Sequence, residues 1–167
     1  MDTTASDLVA LGLGTNLGNR LLNLRTAFKH LKKHLSVVRT SDVFETAPWG
    51  VTDQPCFLNA CILVECRLSP ESLLALVKRF EREMGRTETR HWGERVIDID
   101  ILLMGSQIYD SPLLTIPHAQ MHRRDFVLIP LAEILPNWVH PIIKRSTSSM
   151  AADFLPNDHD FVRICCL

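Results

Sequence analysis

The chain has 167 residues, of which 46% are apolar and 22% are charged. This composition is typical of a single soluble globular domain and excludes a disordered chain. The 18 Lys and Arg residues nearly balance the 19 Asp and Glu residues. The balance argues against a general nucleic-acid binder, because such proteins carry a basic excess.

The sequence also predicts where the protein resides. No apolar run approaches the roughly 18 residues of a membrane-spanning helix, and the polar segment 1–7 lacks the basic flank of a secretory signal. The five cysteines are odd in number and form no CxxC pair, so we interpret them as reduced thiols. We therefore expect a cytoplasmic protein that binds neither membranes nor nucleic acids. Its oligomeric state stays open, with a monomer favoured.

The first half of the chain predicts a strand, a helix and two β-rich segments. Residues 8–13 form a short apolar run bounded by glycine, which is typical of a buried strand. Apolar residues recur at alternating steps of three and four within 19–35, which predicts an amphipathic helix. Segments 37–45 and 57–66 are rich in residues that favour strands.

The next segments complete a recognisable order of elements. Ser69 as N-cap, Pro70 at the first helical position and Gly85 after the last predict a second helix. A strand over 96–104 follows. The order β-α-β-β-α-β predicts a ferredoxin-like α+β fold, in which two helices cover one face of an antiparallel sheet and leave the other face and the loops for ligands.

The remainder of the chain is less regular. Residues 108–109 and 114–116 predict a short hairpin, and 126–135 predict a helix that ends before Pro136. The serine-rich segment 146–149 is expected to be mobile, and the tail 142–167 has no assigned role. We treat 1–167 as one domain with a core over about residues 8 to 141.

The most informative motif is the pair Asp98 and Asp100 inside an apolar strand. Side chains two residues apart in a strand share one face, so the two carboxylates converge while Ile97, Ile99 and Ile101 line the other face. Two adjacent, half-buried carboxylates repel each other unless a cation is present. Mg²⁺ is commonly held by one or two carboxylates together with substrate phosphates. The alternative is an exposed sheet face with salt-bridged acids.

Basic residues flank this strand on both sides. The loop before it carries Arg86, Arg90 and Arg95, and a second cluster at 118–124 follows the hairpin. Guanidinium groups bind phosphate oxygens with two parallel hydrogen bonds. Either cluster alone indicates a solvated loop, whereas basic loops beside an acidic pair favour phosphate chemistry.

A different kind of wall is predicted on the strand at 57–66. Phe57, Asn59 and Cys61 share one face. An aromatic plane stacks on a heterocycle, and an amide matches the donors and acceptors of its edge. The alternative is ordinary core packing, although an amide in an apolar strand requires partners.

The glycines at 12, 14 and 18 stand between a strand and a helix, where dinucleotide-binding loops occur. Their spacing is G-x-G-x-x-x-G rather than G-x-G-x-x-G, and no acidic residue follows about twenty positions later. We interpret these glycines as turn geometry and close packing.

These motifs together resemble the 6-hydroxymethyl-7,8-dihydropterin pyrophosphokinase family. The most diagnostic segment is Arg-His-Trp-Gly-Glu-Arg-Val-Ile-Asp-Ile-Asp-Ile-Leu at 90–102. Further segments match this family in the order in which the family has them, at 12–18, 46–50, 53–60, 85–86 and 116–118.

The resemblance implies roles for particular residues. It implies that Asp98 and Asp100 hold two Mg²⁺ ions, and that Arg86 and Arg95, on a mobile loop, engage the transferring phosphates. The implied pterin contacts are Thr46, Ala47, Pro48, Trp49, Phe57, Asn59, Trp92 and Phe126. The implied ATP contacts are Arg86, Trp92, Arg95, Ile101, Thr115, His118 and Arg124.

The resemblance also implies an activity, the transfer of pyrophosphate from ATP to the hydroxymethyl group of a reduced pterin in folate biosynthesis. Its expected partners are these two small molecules. A two-metal nucleotidyltransferase is one alternative, although such enzymes carry Gly-Ser about ten residues before the acidic pair, where this chain has Arg86-Thr87-Glu88. A non-enzymatic ferredoxin-like module that binds a ligand or RNA is the other.

Overall fold

The computed structural model describes residues 7–48, 50, 52–86, 93–154 and 161–167. The predicted order of strands and helices is confirmed as far as β5, except that one predicted strand is divided in two. The elements are β1 (Asp7–Thr15), α1 (Arg20–Lys32), β2 (Ser36–Thr40), β3 (Asp42–Thr46), β4 (Phe57–Cys66), α2 (Pro70–Glu83), β5 (Asp98–Met104), β6 (Tyr109–Asp110), β7 (Thr115–Ile116), α3 (Asp125–Ile134), α4 (Thr147–Ala151) and β8 (Phe161–Cys166).

The β-rich segment 37–45 is two strands rather than one. The division falls at Ser41, whose backbone N–H donates to the Cys61 carbonyl at 2.9 Å. The Ser41 hydroxyl oxygen accepts from the Cys61 backbone N–H at 2.8 Å. A side-chain oxygen thus takes the place of a backbone carbonyl in the ladder, so β2 and β3 pair separately with β4.

The main sheet is antiparallel, with strand order β5-β1-β4-β3-β8 and β2 also paired to β4. The helices α1 and α2 cover one face. Their apolar residues pack on Ile97, Ile99 and Ile101 in one core cluster, as the alternation around the acidic pair predicts. The antiparallel sheet and the helices form the predicted ferredoxin-like α+β arrangement.

The opposite face is only partly open, which corrects the expectation that the helices leave it free. The helices α3 and α4 cover its centre in a second core cluster that includes Ala10, Cys61 and Leu63. Beside this cluster, Gly14 of β1, Phe57 of β4 and Asp98 of β5 line a pocket together with the start of α3.

The expectation of a mobile serine-rich segment is wrong. The hydroxyl oxygen of Ser146 accepts from the Ser149 backbone N–H at 3.1 Å and caps α4, because the first N–H groups of a helix lack intrahelical partners. The tail also contains β8, which pairs antiparallel with β3.

The remaining regular elements agree with the sequence. The predicted hairpin is β6 paired with β7, and α3 ends at Ile134, before Pro136. None of the helices in the described part of the chain is both long and apolar enough to span a bilayer.

Candidate active site

The candidate site is centred on two glycines of β1. In the sheet register, Gly12 lies opposite Asp100, and Gly14 lies between Asp98 of β5 and Asn59 of β4. A Cβ atom at Gly14 would lie 3.0 Å from the Asn59 side-chain oxygen. The missing side chain therefore leaves the space that the amide occupies, which is the reason for glycine here.

The strands, the loop after β3 and the start of α3 enclose an open pocket. The space between its lining residues is about 710 Å³ when the open solvent at its mouth is included. Nine of the residues expected at the site line it: Thr46, Ala47, Phe57, Asn59, Arg95, Asp98, Asp100, Arg124 and Phe126. The geometry thus brings the expected pterin and phosphate contacts into one pocket.

One wall of the pocket presents an ordered amide between aromatic rings. Asn59 is 6% exposed, and its side-chain nitrogen donates to the Thr46 hydroxyl at 2.8 Å. This bond fixes the orientation of the amide and leaves its oxygen to accept from a ligand. Phe57 and Phe126 come to the same pocket from β4 and α3. The Arg124 guanidinium lies over the Phe126 ring, 5.6 Å from the ring centroid.

The opposite wall carries Asp98 and its two arginine partners. The guanidinium groups of Arg86 and Arg95 each donate to a different oxygen of the Asp98 carboxylate. Burial by itself raises the pKa of Asp98, but the charges of Arg95 and Arg86 outweigh burial and hold that pKa below its usual value. Asp98 is therefore ionised, and the two guanidinium groups compensate its negative charge.

Asp100 has the opposite electrostatic character. Burial, followed by repulsion from Asp98, raises the pKa of Asp100 above its usual value. The nearest cation in the described site is Arg124, with 4.0 Å between its guanidinium and the carboxylate. Asp100 therefore lacks the close charge compensation that Asp98 has, and a cation bound here would relieve the repulsion.

Three of the expected ATP contacts line a second cavity beside the pocket. Ile101, Thr115 and His118 lie there with Asp100, which also lines the first pocket and so joins the two spaces. The His118 Nδ1 accepts from the Gln120 backbone N–H at 3.2 Å, and burial lowers the pKa of this imidazole. His118 is therefore a neutral ring that carries its proton on Nε2 and presents a donor.

Sequence reasoning missed Glu81, which is 2% exposed. It accepts from the Ile99 backbone N–H at 2.7 Å, from Lys78 at 3.0 Å and pairs with Arg86 at 2.6 Å. Burial raises the pKa of its carboxyl. The sequence feature that could have indicated a buried role is its position four residues after Val77, which places a charged residue on the apolar face of α2.

Asn16 also received no role of its own from the sequence. It is 2% exposed, and its side-chain oxygen accepts from the Arg95 backbone N–H at 2.8 Å. Its side-chain nitrogen donates to Gln54 at 3.0 Å and to the Pro55 carbonyl at 3.2 Å. Asn16 thus ties the segment that carries Arg95 to the segment that leads into β4.

The other expected residues divide into two groups. Pro48 lies outside the lining of both cavities as described, and Arg86 reaches the site through Asp98. Trp49 and Trp92 lie outside the described residues.

Comparison with known proteins adds independent support. The family described as 7,8-dihydro-6-hydroxymethylpterin-pyrophosphokinase (HPPK) matches residues 10–136. A protein of Aquifex aeolicus named 2-amino-4-hydroxy-6-hydroxymethyldihydropteridine pyrophosphokinase is 38% identical over 159 residues, covering 95% of this chain and 96% of its own. The Haemophilus influenzae protein of the same name is 42% identical over 133 residues, covering 78% of this chain and 83% of its own.

A solved HPPK-DHPS chain of Plasmodium falciparum has a TM-score of 0.82 and 17% identity, and the match covers 98% of this chain and 50% of that chain. This chain therefore spans half of the solved one, and at that identity the likeness shows the fold alone. The matched family segment contains the whole acidic strand and both pocket walls. The chain therefore belongs to the HPPK family.

Proposed function

We propose that the chain transfers the terminal diphosphate of ATP to the hydroxymethyl group of 6-hydroxymethyl-7,8-dihydropterin, with AMP as the leaving group, as a step of folate biosynthesis. The observation that carries this proposal is the pocket in which the Asn59 amide and two aromatic rings face Asp98, Asp100 and Arg95, with Arg86 paired to Asp98. A flat heterocycle fits the first wall, and a polyphosphate with its cations fits the second.

The pterin site is proposed between Phe57 and Phe126. Both rings line the pocket, and aromatic faces hold a planar heterocycle by stacking. Asn59 reads the heterocycle edge with the oxygen that the bond to Thr46 leaves available. The backbone of the segment that follows Thr46 supplies further donors and acceptors at this edge.

The nucleotide is proposed to extend from Asp100 into the second cavity. Thr115 and Ile101 line that cavity and contact the adenosine part. The Nε2 proton of His118 donates to a phosphate oxygen. Because Asp100 borders both spaces, the phosphates lie beside the acidic pair, with the reacting hydroxymethyl group on the other side.

The two aspartates fit a pair of Mg²⁺ ions. Carboxylate oxygens are the protein ligands that Mg²⁺ prefers, and substrate phosphates complete its coordination. Asp98 and Asp100 would hold two Mg²⁺ ions, which would neutralise charge on the phosphates of ATP. With these ions bound, the charge of Asp98 would be compensated without Arg86 and Arg95, and both guanidinium groups would be available to the transferring phosphates.

The chain's own contribution is positioning and charge compensation, which dominate phosphoryl transfer. The hydroxymethyl oxygen bonds to the β-phosphorus of ATP while the bond from this phosphorus to the oxygen that bridges it to the α-phosphorus breaks. AMP leaves with that oxygen, and the hydroxyl proton is released. Arg86 and Arg95 stabilise the negative charge on the group in transit.

The test is turnover by the intact chain and by Asp98→Asn and Asp100→Asn variants, with ATP, Mg²⁺ and the reduced pterin alcohol. We expect the intact chain to release AMP in equal amount to the pterin diphosphate, and each variant to lose at least about a hundredfold in kcat, since removed electrostatic groups at transfer sites cost about that much. Release of inorganic pyrophosphate would instead support a nucleotidyltransferase. Near-normal turnover of both variants, with folded far-UV spectra, would overturn the assignment of the aspartates.

A further inference from the structure

The geometry points to Phe161, in the C-terminal strand β8, as a positioning residue for the pterin wall, which we define as Thr46, Phe57, Asn59 and Phe126. The inference rests on the proposed function and assigns a role to the part of the tail that the sequence left unexplained. Phe161 does not line the pocket. It acts through β3, whose last residue is Thr46, the partner of the Asn59 amide.

The sheet register places Phe161 directly opposite Thr46. On its inner side, β3 has only three residues paired with β4, from Phe44 to Thr46. On its outer side, five residues of β3 pair with β8. The pairing of β3 with the C-terminal strand is therefore longer than its pairing with β4, and without β8 the strand that carries Thr46 would be an edge strand.

Side-chain packing strengthens the same end of β3. The rings of Phe161 and Phe44 lie 4.9 Å apart between centroids, within the range of stabilising aromatic pairs. Phe44 is 4% exposed and lies opposite Asn59 in the register. The ring of Phe161 therefore packs against a residue that borders both Thr46 and Asn59.

A second contact from β8 joins β3 and α3, two of the elements that line the proposed pterin site. Arg163 pairs with Asp42 of β3 at 3.1 Å and with Glu133 of α3, the helix that also carries Phe126. Glu133 accepts from the Asp42 backbone N–H at 3.0 Å. Arg163 is 63% exposed, and exposed ion pairs contribute little free energy. The ring of Phe161 is therefore the main contact and Arg163 a supporting one.

The consequence is selective for one substrate. Loss of the Phe161 ring lets the end of β3 and Thr46 move, which weakens the fixed orientation of the Asn59 amide. The second cavity, with Ile101, Thr115 and His118, lies on β5 and the hairpin side of the molecule and does not contact β8 in the described structure. Pterin affinity should fall while nucleotide affinity stays.

The test compares Phe161→Ala with Val162→Ala. Val162 is the neighbour on the same strand, points to the other side and is 51% exposed, so it is a matched control for lost strand propensity. Dissociation constants are measured for a non-hydrolysable ATP analogue with Mg²⁺, and then for the reduced pterin alcohol with that analogue bound. Phe161→Tyr, which keeps the ring, provides the rescue, and Phe161→Leu serves if the alanine variant does not fold.

We expect Phe161→Ala to raise the pterin Kd about three- to tenfold, the ratio that corresponds to one aromatic pair, with nucleotide Kd within twofold. Val162→Ala and Phe161→Tyr should match the intact chain. An unchanged pterin Kd in Phe161→Ala, or an equal rise in both dissociation constants, overturns the inference. If the intact chain binds neither ligand, the proposed function itself fails, which is a separate result.

Discussion

Replacement of Gly14 by alanine gives a sharp test of the pterin wall, because the chain provides its own control on the same strand. A Cβ atom at Gly14 would lie 3.0 Å from the Asn59 side-chain oxygen and 3.9 Å from a ring carbon of Phe57. The three atoms nearest to a Cβ atom at Gly12 all belong to the Leu102 side chain, with its two methyl carbons at 3.4 Å. Neither glycine has a positive φ, so alanine strains neither backbone.

The size of the effect follows from what the Asn59 amide must give up. An oxygen pushed away by a few tenths of an ångström loses its aligned bond to the ligand, and the 2.8 Å bond from its nitrogen to Thr46 is distorted with it. Each hydrogen bond contributes about 0.5–1.5 kcal/mol. The bond to Thr46 is distorted in the free protein as well as in the complex, so only the bond to the ligand enters the Kd. Its loss of about 0.5–1.5 kcal/mol gives roughly a 2- to 13-fold rise in the pterin Kd.

The assay is an equilibrium titration of the reduced pterin alcohol by fluorescence, with a non-hydrolysable ATP analogue and Mg²⁺ present. Gly14→Ala should raise the pterin Kd by the stated factor and leave the Kd of the analogue within about twofold. Gly12→Ala should bind the pterin nearly as the intact chain does, because its Cβ atom would make ordinary van der Waals contact with the Leu102 methyl groups and would not approach the Asn59 amide as closely as 3.0 Å. Equal pterin affinity for both variants and the intact chain would refute the reasoning about the amide wall.

Three further predictions concern the residues around the pocket. Glu81→Gln keeps an oxygen for the Ile99 N–H but loses the charge that faces Lys78 and Arg86. The free energy of unfolding by urea should fall by about 1–3 kcal/mol, which is less than the usual cost of a broken buried pair because Arg86 retains Asp98. The control Glu83→Gln, at a half-exposed position of the same helix, should lose under about 0.5 kcal/mol, and equal losses for the two variants would contradict the buried role of Glu81. Burial raises the pKa of the Cys61 thiol, so iodoacetamide at pH 8 should modify exposed Cys56 in the folded protein and leave Cys61 unmodified. Peptide mass spectra that show equal labelling of the two cysteines would disprove this. Asn16→Ala removes the side-chain bond to the Arg95 N–H, so kcat/KM should fall about tenfold at an unchanged far-UV spectrum, whereas unchanged kcat/KM would show that Arg95 needs no such support.

Local patterns predicted most of the fold because each strand and helix of the core has its own apolar period. The alternation through Ile97, Ile99 and Ile101 placed three residues in the core and the two aspartates on the pocket side, and the structure agrees. Ser69 and Pro70 likewise begin α2 as predicted. Such signals act within a few residues and need no knowledge of distant partners.

The tail was missed for the opposite reason. The edge strand β8 exists through pairing with β3, far away in the sequence, and no local pattern encodes that partner. The cap at Ser146 is different, because it depends on residues that are close in the sequence: the Ser146 hydroxyl accepts from the Ser149 N–H. The serine-rich composition was taken for mobility, although serine before a short helix is a normal N-cap.

The residue types of the site were predictable, but their partners within the protein were not. Arg86 and Arg95 were expected on phosphates, and in the structure both bind Asp98. A buried carboxylate requires compensation in every state of the protein, and the sequence does not specify which group provides it. Glu81 was overlooked because a charged residue on an apolar helix face becomes informative only once its buried partners are known.

The most direct test of the central claim follows the phosphorus atoms of ATP through one turnover. The intact chain is incubated with Mg²⁺, the reduced pterin alcohol and ATP labelled at either the α- or the β-phosphorus. Attack at the β-phosphorus predicts that the β label appears entirely in the pterin product and the α label entirely in AMP. An α label in the pterin product, or a β label in free pyrophosphate, would contradict diphosphate transfer at this site.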